Sequence, residues 1–213
     1  MKLRILSWLA VSSIGVIGGT ADAQGRADCQ SPQPPSIGVA VGRSLPGLEL
    51  PSEAVGAEPI GTLSVRGATQ VAGRADLPVT GPLRVRLEGA MAHWDVRRTL
   101  YDPNAGYQVT DESSIGFMST RHLVALVGIR TGRPGACAHV SAGGGLYSIG
   151  FRNASLRRAG FALAAGIEVP TGRHGAIQAD ATLHVIRIGD GYPITSFSDA
   201  PTLSLLVGWA YRF

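Results

Sequence analysis

Lysine is almost missing: Lys2 is the only one in 213 residues. Every other basic side chain is arginine, and these are scattered along the chain. A net charge of +4 spread in this way gives no nucleic-acid footprint. Long apolar runs are scarce too. The stretch "ILSWLAVSSIGVIGG" is continuous, but it falls short of the roughly 20 residues a bilayer-spanning helix needs. No run of 18 apolar residues follows it, which excludes a helical membrane protein. There are only two cysteines, Cys29 and Cys137. Cys29 follows "GRAD" rather than a small-residue lipid-attachment box, so it is not a lipid anchor.

What is present begins with a targeting signal. Lys2 and Arg4 precede the apolar run, and Ala21-Asp22-Ala23 has the small-x-small form of a cleavage site. Residues 1–23 therefore read as a secretory signal peptide cut after Ala23. Residues 24–35 read as a periplasmic N-terminal segment and 36–213 as one domain. The two cysteines then reside in an oxidising compartment. An exported chain rich in glycine and built of short alternating segments leaves two classes, a soluble secreted β-protein or a membrane barrel.

The alternation is clear. "IGVAVGR" sets Ile37, Val39 and Val41 against glycine and alanine. "GTLSVRGATQVAGRADLPV" sets Leu63, Val65, Val71 and Leu77 against Ser64, Arg66, Gln70, Arg74 and Asp76. "LRVRLEGAMAHW" sets Leu83, Val85, Leu87 and Met91 against Arg84, Arg86 and Glu88. This is the period of 2 expected of strands with two unlike faces. The segments "RHLVALVGIR", "ACAHVSAGGGLY", "RAGFALAAGIEV", "AIQADATLHVI" and "TLSLLVGWAYRF" repeat it, for eight strands in all. Tight Pro/Gly links fall near 79–82, 131–135 and 170–175. The links at 44–60, 97–117, 152–155 and 189–201 are mostly longer and more polar. Tight turns thus gather at one end and long loops at the other, as in an up-and-down antiparallel barrel.

Alternation alone does not say which face meets water. The apolar face is long enough to cross a bilayer in roughly 9–11 tilted residues per strand. The other face mixes small residues with a few charges, which suits the narrow interior of an eight-stranded barrel. Arg66, Arg84, Arg86, Glu88, Arg130, His139, Glu168, Asp180, His184 and Arg212 are expected to form a lumenal polar network, with Arg74 and Asp76 beside them. Trp209, Tyr211 and Phe213 mark the tight-turn end. Trp94, Tyr101, Tyr107, Phe117, Tyr147, Phe151, Tyr192 and Phe197 are expected to form a second interfacial belt at the loop end. The fold class expected is an all-β, eight-stranded antiparallel transmembrane β-barrel, with a soluble lipocalin-like ligand-binding barrel as the alternative.

These strands, the loop alternation and the terminal "WAYRF" resemble the small outer-membrane β-barrel family of Gram-negative bacteria, the opacity-type surface antigens, over about residues 36–213. The resemblance implies an outer-membrane location and contact with outer-membrane lipid and lipopolysaccharide. It also implies that Trp209, Tyr211 and Phe213 act as a signal for the barrel-assembly machinery. Structural or adhesive work would fall to the outer loops, including "DPNAG" at 102–106 and "DGYP" at 190–193, against a host or envelope surface ligand.

Catalysis finds little support. His139-Val140-Ser141 has the spacing of lipid A deacylases, yet both side chains take the inward parity, as do His122, Asp180, His184 and Glu168. The outward parity offers His93 alone. A lipid A-modifying enzyme is therefore an alternative, and no catalytic residue, cofactor or metal site is expected. His139 and Cys137, two apart on one face, make a ligand pair at most. Cys137 falls close to the tight-turn end and Cys29 in the segment leading there. A Cys29–Cys137 disulfide would tuck the N-terminal segment into the barrel mouth.

Overall fold

A computed structural model describes residues 29, 34–46, 49–55, 58–102, 108–133, 135–151, 154–187 and 199–213. The expected signal peptide and the loop tips at 103–106 and 190–193 lie outside them. Among the described residues are ten strands: β1 (Ser36–Pro46), β2 (Glu49–Val55), β3 (Glu58–Val65), β4 (Ala68–Thr80), β5 (Leu83–Asp102), β6 (Gln108–Arg133), β7 (Ala136–Phe151), β8 (Ala154–Pro170), β9 (Gly175–Arg187) and β10 (Asp199–Arg212). They form one sheet in the order β2-β3-β5-β4-β1-β10-β9-β8-β7-β6, and β5 also pairs with β6. That last pairing closes β1 and β4–β10 into a ring of eight antiparallel strands.

β2 and β3 lengthen two members of the ring. The β1–β4 ladder ends at Ser44↔Ala68, and the β2–β3 ladder takes up at Glu49↔Ser64. The link expected as a loop over 44–60 is therefore mostly a β-hairpin. Its prolines hid it: β2 is the outer edge of the sheet, where Pro51 can be accommodated. The long link expected over 97–117 shrinks in the same way, because β5 runs on to Asp102 and β6 begins at Gln108. The tight turns fall where the Pro/Gly signals placed them. In the turn after β8, Gly172 has φ +101° with open space around it, so glycine is needed there for backbone conformation alone.

The apolar face points outward. Ile37, Val39 and Val41 of β1 lie opposite Tyr211, Trp209 and Val207 of β10, and all six are exposed. Leu87, Met91, Leu123, Val127, Ile129, Val140, Leu163 and Ile177 continue this exterior around the ring. Inside, Arg74, Arg86, Glu88, Asp180 and His184 are buried. This inverts a soluble barrel and sets the lipocalin-like alternative aside: a water-facing surface of this kind would far exceed the apolar patches that soluble monomers expose. Hydrocarbon accepts it. Val127→Arg, in the middle of this exterior, should cost about 2–4 kcal/mol in lipid vesicles, measured by urea titration. A cost near zero would show that this face does not meet the bilayer.

Two expectations about facing need correction. Arg66 is not lumenal: it is exposed, and its Nη2 donates to Glu112 Oε1 at 2.9 Å. The reason is an extra residue. Gln70 pairs with Ala92, but Val65 pairs with Val96, so five steps along β3–β4 match four along β5. The bulge at Arg66–Gly67 reverses the parity of the residues just before it, and Val65 turns inward to pack against Ala68, Ala92 and Trp94. The second correction concerns the aromatic belts. Trp209, Tyr211 and Phe213 do stand outward and contact one another in sequence. At the other end Phe117 is outward, but Trp94 and Tyr147 are buried inside the barrel. Their even and odd positions, respectively, match the inward parity of their own strands. The side chains of Tyr101, Tyr107, Phe151, Tyr192 and Phe197 lie outside the described residues.

Beyond the apolar band the outer face becomes polar. Arg97 Nε donates to Asp95 Oδ2 at 2.9 Å, Arg97 Nη1 to Glu112 Oε1 at 3.2 Å, and Ser114 Oγ to Asp95 Oδ1 at 2.5 Å. The Ser114 hydroxyl and the Arg97 guanidinium hold the Asp95 carboxyl below the usual carboxylate range. Strands β5 and β6 therefore leave the membrane as a paired ribbon rather than as loose loops.

Candidate functional site

Because side chains alternate along every strand, one parity from each of eight strands converges on the axis. β4 contributes Arg74 and Asp76; β5 contributes Arg84, Arg86 and Glu88; β6 contributes His122 and Arg130. β7 supplies His139 and Tyr147, β8 Glu168, β9 Gln178, Asp180 and His184, and β10 Arg212. The interior they build is a stack of ion pairs graded from the tight-turn end to the loop end.

At the tight-turn end Glu168 is the hub. Its Oε1 accepts Arg130 Nη2 at 2.7 Å and also Arg212, and its Oε2 accepts Gln178 Nε2 at 3.1 Å. Arg84 is 3.7 Å away. The next layer is centred on Asp180, whose side chain is fully buried. It accepts Arg74 on Oδ2 and Arg86 Nη1 at 2.9 Å on Oδ1, and His139 Nε2 lies 2.5 Å from Oδ1. Arg86 reaches Asp76 as well, with Nε–Oδ1 at 3.0 Å and Nη2–Oδ2 at 3.3 Å. Above it, Glu88 accepts Arg74 Nε on Oε2 at 2.8 Å and faces His122 Nε2 through Oε1 at 3.4 Å.

Glycine makes room for these layers. A Cβ on Gly166 would stand 2.5 Å from Asp180 Oδ1 and 2.9 Å from His139 Cε1. On Gly160 it would stand 2.6 Å from Tyr147 Cε2. Both positions are close approaches that only a missing side chain permits.

Of the residues expected to face the lumen, Arg84, Arg86, Glu88, Arg130, His139, Glu168, Asp180, His184 and Arg212 are buried there, and Arg66 is the exception. His122 and Tyr147 had the right parity, but nothing in either strand showed that they would meet. Their rings lie 5.4 Å apart between centroids, and His122 is 4.5 Å from His184. The Cys137–His139 ligand pair does not form. Cys137 is bonded to Cys29 in a disulfide across 108 residues of sequence, and His139 turns to Asp180. Cys29 is itself buried at the mouth, beside Ser36, Arg84, Arg130 and Arg212.

Solved structures share this architecture. The outer membrane protein OprG from Pseudomonas aeruginosa aligns with a TM-score of 0.60 over 87% of this chain and 99% of its own, at 12% identity. The fold is that of a small outer-membrane β-barrel. Neisserial surface protein A (NspA) aligns with a TM-score of 0.55 over 84% of this chain and 97% of its own, at 10% identity. At such identities the likeness is one of fold. No protein-family model and no curated protein matches the sequence.

Proposed function

We propose that this chain is an integral outer-membrane protein with a structural or adhesive role, exported by a cleaved signal peptide and inserted by the barrel-assembly machinery. The observation that supports it most is the union of a continuous apolar exterior with a lumen filled by ion pairs. Such a barrel is a rigid support, and specificity belongs to what it holds above the membrane. Here that is the β2–β3 hairpin and the β5–β6 ribbon, whose polar outer face offers Arg66, Asp95, Arg97 and Glu112 to a host or envelope surface ligand. Arg43, Arg121 and Arg157 stand exposed on the outward parity near the loop end. Guanidinium groups at that height suit the phosphates of lipopolysaccharide, with the apolar face below against its acyl chains.

A non-catalytic role is part of the reading. His139 and Ser141, which have the spacing of a lipid A deacylase pair, are both buried in the lumen and cannot reach a lipid. The test is fractionation. The protein should sediment with outer membranes and shift in gel migration on boiling. Recovery in the soluble periplasm, or a lipid A mass profile altered by its expression, would overturn the reading.

A further inference from the structure

At the top of the ion-pair stack, three side chains from three strands converge without making a complete set of contacts. Glu88 of β5, His122 of β6 and His184 of β9 each offer a ligand atom, and these atoms lie within 4.8 Å of one another. His122 Nε2 and Glu88 Oε1 are 3.4 Å apart. Two ligands bound to one tetrahedral zinc at about 2.0–2.1 Å stand roughly 3.4 Å apart, so this edge is already at coordination spacing. His184 is 1% exposed, and its Nε2 has no hydrogen-bond partner. A buried ring nitrogen without a partner needs a reason.

The remainder of the site supplies one. Tyr147 Oη is 3.0 Å from His184 Nδ1. If Nδ1 carries the proton and donates to Tyr147, the Nε2 lone pair is free and turned away from Tyr147. This is the arrangement seen for metal-bound histidines, whose second nitrogen is held by an outer partner. Gly160 in turn makes the room that Tyr147 occupies. On Glu88, Arg74 holds Oε2 and leaves Oε1 for a ligand role.

We propose that Glu88, His122 and His184 form a lumenal site for a divalent transition-metal ion of the zinc type, with Tyr147 as the residue that positions His184. Two imidazoles and one carboxylate suit zinc, cobalt, nickel or copper, and they suit calcium or magnesium poorly. Three protein ligands leave one coordination position open. The Arg74 guanidinium beside Glu88 opposes a cation, which places the affinity below that of the same ligands without it.

The test uses the full-length protein folded in detergent micelles, with Zn²⁺ or Co²⁺ as the probe. Wild type should retain one equivalent of Zn²⁺ after dialysis and give a cobalt d–d spectrum of four-coordinate intensity. His184→Gln and His122→Gln should each weaken binding at least about 100-fold, and Tyr147→Phe about 10–100-fold, while the boiling-dependent gel shift persists. His93→Gln and His174→Gln, at histidines outside the lumen, should leave binding unchanged. Failure of wild type to bind one equivalent at micromolar metal would overturn the proposal. So would unchanged binding in folded His184→Gln, or loss of binding in His93→Gln or His174→Gln.

Discussion

Asp180→Ala is expected to destabilise the barrel by about 3–5 kcal/mol, the cost of breaking a buried ion pair by removing one partner. Asp180 accepts from two guanidiniums and lies beside His139, with its own side chain fully buried. Its removal strands positive charge. Arg74 keeps Glu88, and Arg86 keeps Asp76 and its 3.4 Å contact with His139 Nε2. In a lumen sealed by lipid there is little water to take over. Urea titration in lipid vesicles, followed by fluorescence of Trp94 and Trp209, would measure the loss; less than about 1 kcal/mol would show that the stack is loosely solvated. Because the members share partners, Asp180→Ala and Arg86→Ala should not add: a coupling of about 0.5–3 kcal/mol is expected from the double-mutant cycle.

The disulfide carries the second large effect. Cys29 and Cys137 close a loop of 108 residues. On chain-entropy grounds a crosslink of that span constrains the unfolded chain by about 4–5 kcal/mol. The Cys29→Ser, Cys137→Ser double variant should therefore unfold at markedly lower urea than wild type, and wild type treated with reductant should follow it. The mouth should also loosen, since Cys29 sits beside Arg84, Arg130 and Arg212. Limited proteolysis near residue 30 is expected to be faster in the variant. Equal midpoints in urea would mean that the crosslink adds nothing to the stability of the barrel.

The alternation of "LRVRLEG" was sufficient to assign the inside and outside of β5, because a strand's two faces are written into consecutive letters. Deciding which face meets lipid took more. It rested on the small, sparsely charged character of the second face, and the burial of Arg86 and Glu88 agrees with it. Arg66 escaped that logic. A single inserted residue at Arg66–Gly67 leaves the spelling intact on both sides while reversing its meaning on one. The prolines at 51 and 59 read as breakers, yet on the outermost strand and its partner they interrupt little. The meeting of Glu88, His122 and His184 was illegible for a different reason. Each belongs to its own strand, and their common height depends on the stagger between β5, β6 and β9, which no single strand records. The Cys29–Cys137 bond was within reach because both residues could be placed at the same end of the barrel.

That bond also changes how the molecule transmits force. Tension applied to the chain ahead of Cys29 has two covalent routes into the barrel, the backbone toward β1 and the disulfide. The second crosses the sulfurs to Cys137, near the start of β7. Peeling from that side would first engage the middle of the barrel, where β7 is held by β6 on one flank and β8 on the other. Mechanically, the bond adds a second doubly paired strand to the one the backbone reaches, since β1 is itself held between β10 and β4, and a pull on the N-terminal chain is shared between them.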